Sequence, residues 1–325
     1  MSEIHKFLFD GLPVRGVVVR LTDAWTEVLS RRAAHSTHGG FPEPLQNLLG
    51  EMTAAAVLMQ SSIKFNGSLV LQVHGDGPVK LAVVEVQSNF GLRATATFDG
   101  DLATQTSLSQ LVNLNNRGRC AITLDPKDRQ PGQQPYQGVV PLFGDAGEKL
   151  EKFSDVLQHY MLQSEQLDTT LVLAADANVA AGLLIQRLPT EGQGNVGASH
   201  DEDQIGLNED YRRIALLASS LKREELLSLD VDTLLHRLFW DESVLRFDQK
   251  PGANAPHFEC SCSQERVAKM LIGLGVEEAN SIIEEFGEVE VSCDFCSAQY
   301  RFDKVDVAGL FQSGENQPPA SPLVQ

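Results

Sequence analysis

Four cysteines near the carboxyl end constrain the fold of this chain more than any other feature. Cys260 and Cys262 form a C-x-C pair, and Cys293 and Cys296 form a C-x-x-C pair. Cys120 is the one other cysteine in the sequence. Structural zinc is held tetrahedrally by four thiolate or imidazole ligands, and two close pairs on separate turns can enclose one ion. The pattern therefore predicts that Cys260, Cys262, Cys293 and Cys296 bind one Zn²⁺ per chain.

The segment that carries these cysteines is small and has few large apolar side chains. From Phe258 to Phe311 it comprises about 54 residues, and a fold of that size is marginal unless a metal or a disulfide stabilises it. Hydrophobic periodicity predicts two short helices between the cysteine pairs. Alternating residues at Glu288–Ser292 and Gln299–Asp303 predict a hairpin with the second pair at its tip.

The spacing of the first pair leaves two interpretations of the site open. C-x-C is tighter than the spacing of two to four residues that is usual in structural zinc sites. Spacing alone favours a permanently closed structural site, because most all-cysteine zinc sites only hold a fold together. However, zinc-bound thiolates are also the nucleophiles that oxidants attack, and each pair can close on itself if oxidation expels the metal.

Charge and hydropathy exclude several classes of function. The chain has 26 Lys and Arg against 44 Asp and Glu, a formal net charge of −18, and residues 257–312 carry 11 acidic and 4 basic groups. Both nucleic acids and anionic membranes attract an excess of basic groups, so we expect neither as a partner. The sequence shows no signal peptide, no apolar run long enough for a membrane helix and no Walker phosphate loop. We therefore expect a cytoplasmic protein that does not use ATP.

The first 188 residues predict an α+β unit, a mostly antiparallel sheet covered by helices. Two stretches have helical periodicity, at residues 43–64 and 148–163. Strand-like patterns occur at residues 15–22, 68–74, 78–86, 92–98, 119–124, 137–142, 169–175 and 182–188. Cys120 lies in one of these apolar strands and is most simply a small core residue.

The remaining residues divide into three predicted parts. Residues 189–257 form a helical linker, which begins with a loop at 189–208 and carries amphipathic helices at Asn208–Arg223 and Asp230–Trp240. Its balance of leucine and charge makes it a candidate metastable switch, although the pattern alone favours a plain helical connector. Residues 258–312 form a small zinc-binding α/β-hairpin domain, the C-terminal module. The composition of residues 313–325 predicts a disordered tail.

The cysteine pattern and five further stretches make the chain resemble a known family over nearly its whole length. The family is that of the redox-regulated heat-shock chaperone of about thirty-three kilodaltons, a holdase of the bacterial cytosol. The stretches are Val14–Gly16 (VRG), Gly67–Glu85 (GSLVLQVHGDGPVKLAVVE), Tyr136–Leu142 (YQGVVPL), Tyr160–Leu167 (YMLQSEQL) and Gly182–Pro189 (GLLIQRLP).

The resemblance implies a redox switch rather than a catalytic activity. Reduced protein would hold zinc and be inactive, and oxidation would release the zinc and form two disulfides, Cys260 with Cys262 and Cys293 with Cys296. The C-terminal module would then unfold, and the linker helices would lose a surface on which they dock. The resemblance also implies that residues 1–188 bind unfolded clients and dimerise in the oxidised state, that no ATP is required and that the protein is not an enzyme.

Two alternatives belong to other classes of protein. The cysteine region could be a structural zinc ribbon that binds a protein partner or a nucleic acid, although its negative charge speaks against the latter. A thiol-disulfide enzyme would need repeated turnover rather than one oxidation per switch.

Overall fold

The computed structural model describes residues 1–35, 39–105, 107–129, 132–188, 202–247 and 255–312. Most of the predicted loop at 189–208 and all of the predicted tail at 313–325 lie outside these residues. Within the described residues, no helix is long and apolar enough to cross a membrane.

The fold is α+β, as predicted, with antiparallel sheets and helices packed on them. The strands are β1 (Glu3–Phe9), β2 (Val14–Leu21), β3 (Gly67–His74), β4 (Val79–Gln87), β5 (Gly91–Phe98), β6 (Arg119–Pro126), β7 (Tyr136–Pro141), β8 (Thr169–Ala175), β9 (Ala180–Arg187), β10 (Val244–Arg246), β11 (His257–Phe258), β12 (Val289–Ser292) and β13 (Gln299–Phe302). The helices are α1 (Asp23–His35), α2 (Glu43–Ser62), α3 (Leu108–Val112), α4 (Phe153–Glu165), α5 (Glu202–Ser219), α6 (Arg223–Ser228), α7 (Val231–Phe239), α8 (Gln264–Leu274), α9 (Val276–Phe286) and α10 (Lys304–Gln312).

The strands of residues 1–188 lie in two sheets rather than one, and β10 and β11 each add an edge strand to one of them. A five-stranded sheet has the order β10-β1-β2-β9-β8, and a six-stranded sheet has the order β11-β5-β4-β3-β6-β7. Among the described strands every pairing is antiparallel except that of β11 with β5. The predicted hairpin order of β3, β4 and β5 is confirmed.

Helix α2 lies at the centre of the molecule and contacts strands of both sheets. Its sequence is apolar on nearly every side, and residues 52–58 are fully buried. A helix that is hydrophobic all round is stable only when it is enclosed, which the position between two sheets provides. Gly50 allows the close approach, since a Cβ there would lie 2.4 Å from that of Ala175.

The linker helices α5, α6 and α7 pack on the five-stranded sheet. Leu234, Leu238 and Phe239 of α7 belong to one hydrophobic cluster with Phe7 and Phe9 of β1. The rings of Phe9 and Phe239 meet edge to face with their centroids 5.0 Å apart. The expectation that these helices dock on the C-terminal module is therefore wrong: their principal contacts are with β8 and β9 and with one another.

The linker also differs from its prediction in detail. Helix α5 begins before Asn208 and ends at Ser219, so the predicted helix Asn208–Arg223 is a helix, a turn and the start of α6. The turn brings both Leu221 and Leu226 into the cluster on the five-stranded sheet. Asp230 caps α7 as predicted, accepting a hydrogen bond from the backbone N–H of Thr233.

The C-terminal module folds around a core of its own. Its buried hydrophobic residues are Leu271, Ala279, Ile283, Val289, Phe302 and Val307. The predicted helices and hairpin are present, and α10 follows the hairpin as an element that was not predicted. The limits of the linker and of the module as domains stay a prediction.

Candidate metal centre

The four predicted cysteines converge on one point at the start of the C-terminal module. All four sulfur atoms lie within 4.8 Å of one another. The Sγ of Cys260 is 3.4 Å from that of Cys262 and 3.7 Å from that of Cys293, and the Sγ of Cys262 is 3.3 Å from that of Cys296.

Two short backbone segments position the sulfurs. The first pair follows β11 directly, just before Ser263 caps the start of α8. The second pair occupies the turn between β12 and β13, where the N–H of Cys293 donates to the carbonyl of Ala298 and the N–H of Ser297 to that of Cys293. This turn places two thiols three residues apart on the same side of the chain.

The donor set and its dimensions fit a four-coordinate metal ion. A tetrahedron with metal–sulfur distances of about 2.3 Å, the value for zinc, has edges of about 3.8 Å. Three of the sulfur pairs, at 3.3 to 3.7 Å, come close to that edge without rearrangement of the backbone. Four thiols are the donors that soft or borderline ions such as zinc select.

The surroundings of the sulfurs shift their pKa values in different directions. Burial raises the pKa of Cys293 and that of Cys296, because it disfavours the charged thiolate. Burial also opposes ionisation of Cys262, but hydrogen bonds from the Tyr300 hydroxyl, at 3.1 Å, and from the neighbouring thiols lower its pKa to about 7. Cys262 is therefore more readily present than Cys293 or Cys296 as the thiolate that metals and oxidants require.

The metal centre is docked on strand β5 of the six-stranded sheet. The guanidinium of Arg93 lies 4.2 Å from the ring centroid of Phe295, and its Nη1 donates to the Sγ of Cys260 at 3.7 Å. The hydroxyl of Thr95 donates to the carbonyl of Asp294 at 2.7 Å. Residues 294 and 295 lie between the two cysteines of the second pair, so β5 contacts the turn that carries those ligands.

Sequence reasoning missed the residues that contact the cysteines and their turn, namely Tyr300, Arg93 and Thr95. Tyr300 could have been found from the predicted hairpin, since it pairs with Val291 close to the cysteine turn. Arg93 and Thr95 carry no local signal, because they precede Cys260, the first cysteine of the cluster, by more than 160 residues. Cys120 lies apart in β6, fully buried, and burial raises its pKa to about 12.

Comparison with known proteins gives one consistent result. The family model described as "Hsp33 protein" matches residues 2–303. The "33 kDa chaperonin" of Chromobacterium violaceum is 45% identical over 95% of this chain and 94% of its own length, and that of Methylobacillus flagellatus is 41% identical over 95% and 94%. The crystal structure of a 33 kDa chaperonin from Thermotoga maritima, 20% identical, matches this fold with a TM-score of 0.70 over 95% of this chain and 98% of its own.

Proposed function

The chain belongs to the Hsp33 family, and we propose that it is a molecular chaperone that oxidation switches on. In this proposal the protein holds unfolding client proteins without ATP, catalyses no reaction and works in the cytoplasm. The observation that carries the proposal is the convergence of four sulfurs from two distant cysteine pairs within 4.8 Å.

The four cysteines are the proposed ligands of one Zn²⁺ in the reduced state. Bound zinc would keep the sulfurs as thiolates and cross-link the start of the C-terminal module to its hairpin. The module needs such a cross-link, because its core has only six buried hydrophobic residues among those described. Structural zinc contributes about 10 kcal/mol or more to folds of this kind.

Oxidation of the thiolates would remove the donor set. Each pair of thiolates gives up two electrons and forms one disulfide, Cys260 with Cys262 and Cys293 with Cys296. Two molecules of hydrogen peroxide accept the four electrons and, with four protons, become four molecules of water. A disulfide sulfur is a poor metal ligand compared with a thiolate, so the ion is no longer held.

The proposed consequence is that apolar surface becomes available to clients. Without its cross-link the module should unfold, since the metal supplies more free energy than so small a core can replace. The linker helices cover a face of the five-stranded sheet that includes Phe7, Phe9 and Ile185. They are held on the sheet by contacts with β8, β9 and one another, and β10, which follows them, pairs with β1, so an unfolded module would remain tethered directly behind them and compete with that packing. Loosening them would expose an apolar patch of the kind that binds unfolded proteins or a second copy of the chain.

A single experiment on the full-length protein tests this proposal. Reduced protein is loaded with zinc and treated with peroxide during mild warming. Released zinc, remaining thiols and aggregation of thermally unfolding malate dehydrogenase are then measured together. We expect loss of one zinc and four thiols per chain, with suppression of aggregation only after oxidation.

Two variants sharpen that experiment. Cys293→Ser should abolish the coupled loss of zinc and thiols, whereas Cys120→Ala, outside the cluster, should respond as the wild type does. Equal protection by the reduced and oxidised forms would refute the switch and leave a structural metal module as the better account.

A further inference from the structure

Strand β5 has an outer edge that the C-terminal module covers only in part. The strand has eight residues, Gly91–Phe98, whereas β11 pairs with just two of them, Gly91 and Leu92. That pairing consists of backbone hydrogen bonds from His257 to the carbonyl of Phe90 and from Glu259 to the carbonyl of Leu92, at 3.2 and 2.9 Å.

The metal centre contacts the next residues of the same strand through their side chains. Arg93 contacts Cys260 and Phe295, and Thr95 donates its hydroxyl hydrogen to the backbone carbonyl of Asp294. A backbone carbonyl is an acceptor that any polypeptide offers, whatever its sequence. The module therefore occupies β5 through main-chain groups, at β11 and again at Asp294.

Beyond Asp294 the edge opens into a groove of about 490 Å³. Its lining includes Arg32 of α1, Thr95, Thr97 and Phe98 of β5, and Asp294 of the module. The Nε of Arg32 is buried and has no hydrogen-bond partner among the described residues. A buried donor without an acceptor is costly, and Arg32 lines the groove that an incoming carbonyl would enter.

The exposed end of β5 also lacks the features that block unwanted pairing. Residues 94–98 (ATATF) have no charge and no proline, although native edge strands are commonly protected by such residues. In the metal-bound protein the module pairs with Gly91 and Leu92 and contacts the Thr95 side chain, so the open part of the edge is short.

We propose that the outer edge of β5 is a strand-addition site for an extended, sequence-unspecific segment of an unfolded client, and that the metal-bound module blocks it. Departure of the module uncovers Gly91 and Leu92, releases the side chains of Arg93 and Thr95, and removes the wall of the groove at Asp294. The client then replaces β11 and continues along β5 by backbone pairing, with a carbonyl on Arg32. This inference rests on the proposed function and adds to it the place where main-chain binding occurs.

The opposite edge of the same sheet provides a built-in comparison. Strand β7 is also uncharged and has Val139 59% exposed while the module is in place. Among the described strands, the module does not contact β7 in the sheet order, so its departure should leave the accessibility of Val139 unchanged. The two edges therefore separate a switched site from a strand that is merely exposed.

Site-specific photo-crosslinking on the full chain tests the proposal. A benzoylphenylalanine is placed at Thr97 or at Val139, and unfolding malate dehydrogenase serves as the client. We expect the crosslinked yield at Thr97 to rise at least tenfold on oxidation, and that at Val139 to change less than twofold. An unchanged yield at Thr97, or equal increases at both positions, would overturn the proposal.

A charge on the edge gives an independent readout. Thr97→Lys should raise the dissociation constant of the oxidised protein for the unfolded client at least fivefold, whereas Val139→Lys should change it less than twofold. Wild-type affinity in oxidised Thr97→Lys overturns the strand-addition site and leaves the chaperone function standing. If oxidised wild-type protein does not suppress aggregation at all, the proposed function fails and this inference fails with it.

Discussion

Replacing Arg93 with alanine should weaken metal binding even though Arg93 is not one of the proposed ligands. Its side chain is 16% exposed and lies between β5 and the cysteine turn. A partly desolvated cation over an aromatic ring contributes about 1 kcal/mol, and a hydrogen bond from a charged donor contributes a similar amount. The contacts with Phe295 and Cys260 therefore total about 2 kcal/mol of docking free energy.

That docking energy appears in the metal affinity through linkage. If the metal-free module is unfolded and undocked, binding of the ion drives folding and docking together. Losing about 2 kcal/mol should then raise the apparent dissociation constant for zinc about 30-fold. The assay is a competition titration of reduced full-length protein against a chromogenic chelator.

Three further variants assign the effect to its cause. Phe295→Leu removes the ring face and should produce about a fivefold change, in line with about 1 kcal/mol. Glu85→Gln tests whether loss of the Arg93–Glu85 ion pair, at 2.6 Å, is responsible, and should change the affinity less than Arg93→Ala. Arg301→Ala removes an exposed arginine of the module, whose ion pairs are worth at most about 1 kcal/mol. An affinity of Arg93→Ala within twofold of wild type would refute the reasoning.

Three other predictions concern residues 1–188. Burial raises the pKa of Glu51 from 4.5 to about 7, so the protonated carboxyl stabilises the protein fully below pH 4.5, and this contribution is lost as the pH rises through 7. In urea unfolding, the free energy of unfolding of Glu51→Gln should exceed that of the wild type by about 3 kcal/mol at pH 8 but not at pH 4.5. Equal differences at the two pH values would contradict this prediction. A Cβ at Gly16 would lie 2.0 Å from the ring of Phe7, so Gly16→Ala should lower stability by about 1–3 kcal/mol in thermal unfolding, whereas Gly273→Ala, with open space around it, should not lower it. Because its pKa is raised to about 12, Cys120 should keep its thiol under peroxide doses that oxidise the four clustered cysteines. Mass spectrometry of alkylated peptides measures the loss of each thiol, and loss at Cys120 as fast as at the clustered cysteines would contradict this prediction.

The sequence predicted elements well where the hydrophobic pattern was strong and local. Strand β8 has the predicted limits, and α2 differs from its prediction by two residues at one end. Strand β1 was missed because its buried positions, Ile4, Phe7 and Phe9, do not follow a clean alternation. Phe7 and Phe9 pack against Phe239, far along the chain, and no local window contains that contact.

The metal centre shows the same division between local and distant information. Cysteine spacing was enough to identify all four sulfurs that converge, because pairs on tight turns have few other uses in a reduced protein. The docking of that centre on Arg93 and Thr95 depends on how a small module packs against a sheet edge. Such packing depends on residues that folding brings together on the surfaces of the sheet and the module, and a local sequence pattern does not contain that information.

The shortness of β11 limits how much the strand itself can contribute to holding the module on the sheet. Two backbone hydrogen bonds and one partly buried phenylalanine, Phe258, amount to a few kcal/mol, so the strand pairing alone holds the module only weakly. In the proposed switch, the metal-bound sulfur cluster therefore contributes more to closure than the strand does. If that switch operates, reductant and fresh metal should return the protein to its closed form, because the strand pairing that has to form again is short.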